Sequence, residues 1–71
     1  MTKPEALQLN IGDVVIYQVG NVPHELVVAD DSYGFELHRK GQISEFGSLA
    51  LMNEDGFFVW LDAAYEHTQK R

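Results

Sequence analysis

The segment 48–61, with the sequence SLALMNEDGFFVWL, constrains the fold of this chain more than any other, because it has the pattern of a β-hairpin. Its centre, Asn53 to Gly56, is typical of a type I turn followed by a residue with positive φ, a conformation that glycine adopts without strain. Pairing Asn53 with Phe57 sets the register of the two strands. The expected opposite pairs are Met52 with Phe58, Leu51 with Val59, Ala50 with Trp60 and Leu49 with Leu61.

Alternation along these two strands gives the hairpin an apolar set on each side. One face would carry Leu49, Leu51, Phe57, Val59 and Leu61, and the other would carry Ala50, Met52, Phe58 and Trp60. A small domain with a single core needs only one such face. The second face therefore predicts a covering segment of the chain, a partner molecule or a ligand.

The size of the chain makes additional burial valuable. Its 71 residues predict one domain over 1–71, near the lower limit for folding on a hydrophobic core alone. The chain has no cysteine, so neither disulfides nor thiolate-bound zinc can supplement the core. Oligomerisation is the remaining common remedy, and we expect self-association through the second apolar face.

Charge and hydropathy exclude two classes of partner. The formal net charge is −6, and Arg39-Lys40 is the one basic cluster outside the terminal Lys70-Arg71, so direct nucleic-acid binding is not expected. The longest apolar run, 57–61, is far shorter than the roughly 20 residues of a spanning helix, so no membrane partner is expected. Without an apolar leader in the first residues, we expect a cytoplasmic protein. Acidity keeps a small protein soluble and also suits a basic protein surface.

Three further segments have strand patterns and are separated by two turns. Asp13–Val19 and His24–Ala29 are predicted strands, separated by a turn at Gly20–Pro23. A polar turn at 30–32 leads into Tyr33–Lys40, where apolar residues at every second position predict a half-solvated strand. A loop over 41–47 then precedes the hairpin.

The two ends of the chain carry helix signals. Thr2 and Glu5 have capping-box spacing, so residues 1–10 are either a short helix or a frayed terminus. Asp62 is expected to cap a final helical turn over 63–67. The predicted fold is therefore all-β, a small five-stranded antiparallel SH3-like barrel or bent sheet with a short C-terminal helical turn. The alternative is an α+β domain whose last helix covers one face of the sheet.

Two segments carry a resemblance to known families. Residues 11–15, Ile-Gly-Asp-Val-Val, resemble the first strand of SH3-like barrels, many of which begin with a Gly-Asp-x-Val pattern. Residues 57–66, FFVWLDAAYE, are similar in layout to the barrel-closing end of the plasmid-encoded type II dihydrofolate reductases, where a strand precedes a tight turn with Ala-Ala-x-Glu. Together the two segments cover about a fifth of the chain.

The reductase resemblance extends to architecture and not to activity. In that family the active strand reads Val-Gln-Ile-Tyr, and its Gln and Tyr line the pore of a homotetramer. Phe57-Phe58-Val59-Trp60 stand at the matching positions here, with Phe58 in place of the hydrogen-bonding Gln. The resemblance implies an arrangement in which Phe58 and Trp60 face a neighbouring subunit.

No residue pattern indicates a catalytic, cofactor or metal site. Glu36 and His38 would share one face of a strand and could chelate a metal, but they fall on the solvated face and no third ligand can be placed. The glycines lie singly at turns, so no phosphate-binding loop is predicted. The chain is expected to be a non-enzyme without cofactor.

The surplus apolar surface predicts a protein–protein interaction module that uses an aromatic sheet face and self-associates. Its predicted contact centre is Met52, Phe58 and Trp60, with Trp60 as the energetic anchor. Acidic turns at Asp30, Asp31, Glu54 and Asp55 would steer a basic partner. Two alternatives remain: a small acidic regulator of phage or plasmid type that binds a basic surface of host machinery, and an oligomeric enzyme whose site forms at a symmetry axis.

Overall fold

The computed structural model describes all residues from 1 to 71 and contains five strands and four short helical segments. The helical segments are α1 (Lys3–Ala6), α2 (Ser32–His38), α3 (Leu61–Ala64) and a 3₁₀ helix (Tyr65–His67). The strands are β1 (Val14–Val19), β2 (Val22–Asp30), β3 (Leu49–Met52), β4 (Phe58–Trp60) and β5 (Thr68–Lys70). None of the helical segments has the length and apolar character needed to span a bilayer.

The five strands form one antiparallel sheet in the order β4-β3-β2-β1-β5. The first four strands follow one another as a meander, and β5 then returns to pair with β1, the first strand of the chain. The predicted fold class is confirmed: the chain is mostly β, with five antiparallel strands and a short C-terminal helical turn. The fifth strand is Thr68–Lys70, a segment that the sequence did not indicate.

The β3–β4 hairpin has the predicted register. Ala50, Leu51 and Met52 lie opposite Trp60, Val59 and Phe58. The Asn53 amide donates to the Phe57 carbonyl at 3.2 Å, and Gly56 has a φ of 86°. The Asn53 side-chain oxygen also accepts from the amides of Asp55 (3.0 Å) and Phe57 (3.1 Å). The expected pairing of Leu49 with Leu61 is absent, because Leu61 begins α3.

The hydrophobic core lies on one side of the sheet, which we call the inner face. It consists of Ala6, Leu9, Val15, Leu26, Val28, Phe46, Leu51, Leu61 and Ala64. The strands contribute alternate residues, while α1 and α3 bring Ala6, Leu61 and Ala64 onto the same side. Thr68 is buried beside this core, and its hydroxyl donates to the Ala64 carbonyl at 2.7 Å. Every buried side-chain polar atom has a hydrogen-bond partner.

The N-terminal segment is a short helix with the predicted capping box. The Glu5 amide donates to the Thr2 hydroxyl, and the Glu5 carboxylate accepts from the Thr2 amide at 2.9 Å. Pro4 lies in the first turn, where its missing N–H removes no intrahelical bond.

The prediction of a strand over Tyr33–Lys40 is wrong, because residues 32–38 form the helix α2. The Asp31 carboxylate accepts from the Gly34 amide at 2.9 Å and so caps the first turn. The segment contains no β-branched residue, and the edge of β2 that it could have joined is occupied by β3. Glu36 and His38 are two residues apart on this helix and do not share a face, so the proposed chelating pair does not form.

The turn between β1 and β2 is shorter than predicted. It consists of Gly20 and Asn21, and Val22 and Pro23 already belong to β2. The Val28 amide donates to the Asp13 carbonyl on the β1 side, so by alternation the backbone N of Pro23 points to the opposite edge. There β3 pairs only with Val27–Asp30. The missing N–H of Pro23 therefore removes no sheet hydrogen bond.

The cap of α2 yields a first prediction, in the form of a double-mutant cycle. Asp31→Ala should lower the free energy of unfolding by about 1 kcal/mol through loss of the N-cap acceptor, whereas Asp31→Asn should preserve most of it. A Cβ added to Gly34 would overlap the Asp31 carboxylate. Gly34→Ala should therefore raise stability, by up to about 1 kcal/mol, only where Asp31 is already Ala. Urea denaturation measures all four proteins, and an equal gain in both backgrounds would contradict the cap geometry.

Candidate interaction surface on the outer sheet face

The side of the sheet opposite the core, the outer face, carries an unbroken line of apolar residues across four strands. Phe58 on β4 lies opposite Met52 on β3, Met52 lies opposite Val27 on β2, and Val27 lies opposite Val14 on β1. Directly opposed residues in an antiparallel sheet point to the same side and touch. We call these four residues the apolar row.

The apolar row is open to solvent along much of its length. Phe58 is 41% exposed and Val27 is 40% exposed, while Met52 and Val14 are partly buried. Single exposed apolar residues are common on protein surfaces, but a contiguous line of them marks an interaction surface. The row is therefore the main candidate for a functional surface on this chain.

Trp60 lies beside the apolar row and is covered by α2. The Phe35 ring meets the Trp60 ring edge-on with centroids 5.8 Å apart, and the Arg39 guanidinium lies 5.5 Å from the centroid of the same ring. Ala50, opposite Trp60 in the sheet, is completely buried. Part of the second apolar face is thus covered by the chain itself, by α2 and not by the segment that begins at Asp62.

Arg39 holds α2 in this position. Its guanidinium makes two hydrogen bonds to the Asp62 carboxylate, at 2.8 and 2.6 Å, and both side chains are only about one-fifth exposed. The same group lies 5.6 Å from the centroid of the Phe35 ring, so it lies between two aromatic rings and a carboxylate. A planar guanidinium suits such stacking and bidentate bonding, which a lysine ammonium could not reproduce.

The ion pair with Arg39 lowers the pKa of Asp62. The hydrogen bonds from Arg39 hold the pKa of Asp62 below its ordinary value of 3.8, against the opposing effect of burial. The charge of Arg39, a hydrogen bond from Ser44 and the Ala63 amide act in the same direction on the pKa. The carboxylate is therefore charged across the neutral and mildly acidic range.

An acidic groove of about 370 Å³ adjoins the apolar row at the β3–β4 turn. It is lined by Glu25, Val27, Asn53, Glu54 and Asp55, so Val27 belongs to both features. Glu25 forms an exposed ion pair with Arg71 at 2.8 Å. Neither Glu54 nor Asp55 takes part in an ion pair. The groove thus places carboxylates beside exposed apolar side chains.

The structure brings together some of the predicted site residues and separates others. Met52, Phe58, Glu54 and Asp55 lie at one end of the β3–β4 hairpin. Asp30 lies opposite Leu49 at the far end of β3 and accepts a hydrogen bond from Ser48, and Asp31 is the cap of α2. These two carboxylates are engaged elsewhere and do not join the acidic groove.

Two features of this surface were missed by sequence reasoning. Val27 and Glu25 join the site because the β2–β3 register places Val27 opposite Met52. Their alternation in β2 could have identified the shared face, but not its partner strand. Phe35 and Arg39 lie in the segment that the pattern predicts as a strand. The sequence therefore did not indicate that they cover Trp60.

Reactive groups are sparse on the remaining surface. No set of three or more His, Cys, Asp and Glu side chains is arranged to hold a metal ion. A second groove of about 370 Å³ is lined by residues including Lys3, Glu45, Asp62 and Tyr65. Its charged groups are already paired, Lys3 with Glu45 at 2.8 Å and Asp62 with Arg39.

Comparison with known proteins gives no relative: no protein-family model, curated protein or solved structure matches the chain.

The Arg39–Asp62 pair yields a prediction on pH dependence. Asp62→Asn should lower the free energy of unfolding by roughly 1–2 kcal/mol at neutral pH, because a largely buried guanidinium loses a charged acceptor. Since the pKa of Asp62 is lowered in the folded state, this contribution should be complete above about pH 5 and disappear as the pH falls through the lowered pKa.

Urea denaturation of both proteins across this pH range measures the difference. Glu66→Gln removes an exposed carboxylate that forms no ion pair and serves as the matched control. A difference between wild type and Asp62→Asn that persists unchanged to strongly acidic pH would show that the carboxylate charge is not its cause.

Proposed function

We propose that this chain is a non-enzymatic interaction module that binds another protein through the outer face of its sheet. The observation that carries the proposal is the apolar row, which crosses four strands and remains exposed at Phe58 and Val27. No cluster of three or more metal-ligating side chains competes with it as a site. Binding of a protein surface is the function that such a face supports best.

Phe58 is the proposed anchor of the contact. It is the most exposed aromatic residue of the hairpin, and its ring lies edge-on against Trp60 with centroids 4.8 Å apart. The Trp60 ring packs against the Phe58 ring, and Phe35 of α2 packs against the Trp60 ring. We therefore assign the role of energetic anchor to Phe58, with Met52 and Val27 beside it. The sequence had favoured Trp60 for this role.

The architecture proposed from the sequence resemblance, a small SH3-like barrel, is supported by the strand order. A meander of four strands is followed by a helical turn and a last strand that returns to β1. Fold alone does not assign function, so the proposal rests on the surface and not on this likeness.

Two occupants of the surface follow from the sequence, a second copy of the chain and a basic foreign protein. Self-association is supported by the small size of the domain and by its cysteine-free core. A basic partner is supported by the net charge of −6 and by the acidic groove at the end of the row. The oligomeric enzyme has no observation in its favour beyond the resemblance.

A photo-crosslinking side chain in place of Phe58 tests this function directly. We expect Phe58→p-benzoylphenylalanine to give covalent adducts with a partner on irradiation in the cells that make the protein, because an exposed anchor lies within the contact. The masses of the adducts distinguish the occupants: twice 8.0 kDa indicates a second copy, and any other mass a foreign protein.

The matched control carries the same group at Leu7. This residue is 45% exposed and follows α1, on the inner side of the sheet. Adducts at position 58 that are absent at position 7 support the proposal. Equal yields at both positions, or none at position 58, would refute the outer face as the contact.

A further inference from the structure

We infer that the occupant of the outer face is a basic protein segment that carries an apolar side chain next to a cationic one. The inference rests on the proposed function and specifies its partner. The apolar side chain would lie on the row at Phe58, Met52 and Val27, and the lysine or arginine would enter the acidic groove.

The balance of charge on the chain favours a basic partner. The chain has eleven acidic and five basic residues, and three of the basic ones are already held in ion pairs by Glu45, Asp62 and Glu25. Two copies docked through this face would bring two acidic grooves and two net charges of −6 into one complex, which opposes association. A basic partner instead gains from complementary potential, both in the rate of encounter and in its orientation.

The acidic groove and the apolar row adjoin each other. Val27 belongs to both, and Glu54 follows Met52 by two residues, so the carboxylates begin within about 7 Å of the row along the strand direction. Lysine and arginine pack their aliphatic stems on apolar surface while the charged ends reach acidic groups. One side chain lying along Val27 can therefore contact both features.

An ion pair within the chain itself already places a cation at the groove. The Arg71 guanidinium lies 2.8 Å from a carboxylate oxygen of Glu25, at the edge of the groove, and both side chains are more than half exposed. Exposed pairs of this kind contribute little to stability, so a cation from a partner can replace Arg71 at small cost. Glu54 and Asp55 hold no such cation and remain open to an incoming one.

The test is a titration of the full ¹⁵N-labelled chain with three short synthetic peptides of equal length. Binding is measured by the changes in the amide chemical shifts. One peptide alternates lysine with leucine, one glutamate with leucine and one lysine with serine. We expect saturable shifts at Val27, Met52, Glu54 and Phe58 with the lysine–leucine peptide alone, and weaker binding as salt is added.

Two variants of equal net charge separate a specific groove from general attraction to an acidic protein. Glu54→Gln with Asp55→Asn removes two charges from the groove. Glu36→Gln with Glu66→Gln removes two exposed charges outside it. The groove variant should bind the lysine–leucine peptide about fivefold more weakly than the control variant, as expected for the loss of two exposed ion pairs.

Three results would overturn the inference: equal binding of the glutamate–leucine peptide, equal affinity of the two variants, or no shifts at the outer face with any peptide. If any of these occurs while crosslinks at position 58 still form, the basic partner is wrong and the interaction surface stands. Absence of those crosslinks would instead refute the proposed function itself. A crosslinked adduct of twice the chain mass would also overturn the inference, because it would assign the surface to a second copy.

Discussion

The contact of Arg39 with Asp62 is the interaction on which the arrangement of the outer face depends. Asp62 belongs to α3, whose Leu61 and Ala64 pack into the core on the inner side, whereas Arg39 follows α2 on the outer side. One guanidinium therefore connects elements on opposite faces of the sheet. The connection passes β4, a three-residue edge strand that pairs only with β3. The edge-on contact of Phe35 with Trp60 also packs α2 against the sheet.

This arrangement divides the second apolar face of the hairpin into a covered part and an open part. Trp60 is covered by α2 and Ala50 beside it is buried, while Phe58, Met52 and Val27 remain accessible at the end that meets the acidic groove. The face thus has a helix on one side and carboxylates on the other. The two boundaries of this apolar centre therefore differ in shape and in charge.

Local signals in the sequence were sufficient to predict the β3–β4 hairpin, but they did not predict the helix that packs beside it. Turn chemistry at Asn53–Gly56 determined the register of β3 and β4, because a short turn fixes which residues lie opposite each other. The prediction of a strand over the α2 segment is wrong because Tyr33, Phe35 and Leu37 alternate as they would in a strand. A seven-residue helix is too short to show the roughly 3.6-residue period of apolar residues. Asp31, the N-cap of α2, falls in the segment that the sequence predicts as a polar turn.

The candidate surface was predictable only in the part that one hairpin supplies. Phe58 and Met52 follow from the register of adjacent strands, whereas Val27 and Glu25 depend on the pairing of β2 with β3, across an intervening helix and loop. Similarly, β5 pairs with β1 from the other end of the chain, and its three residues have no pattern of their own. Contacts between distant segments are decided by packing of the whole domain, which a local pattern does not encode.

Pro23 has a consequence for the kind of assembly this sheet permits. The stretch of β2 from Val22 to Leu26 extends past β3 and leaves one backbone edge without a neighbouring strand. Such an edge is a template for the addition of a strand from another molecule, and uncontrolled addition leads to aggregation. At this edge Pro23 presents no N–H, so a strand added here would lack one of its hydrogen bonds. Pro23 thereby makes this backbone edge a poorer template for strand addition than an uninterrupted strand would be.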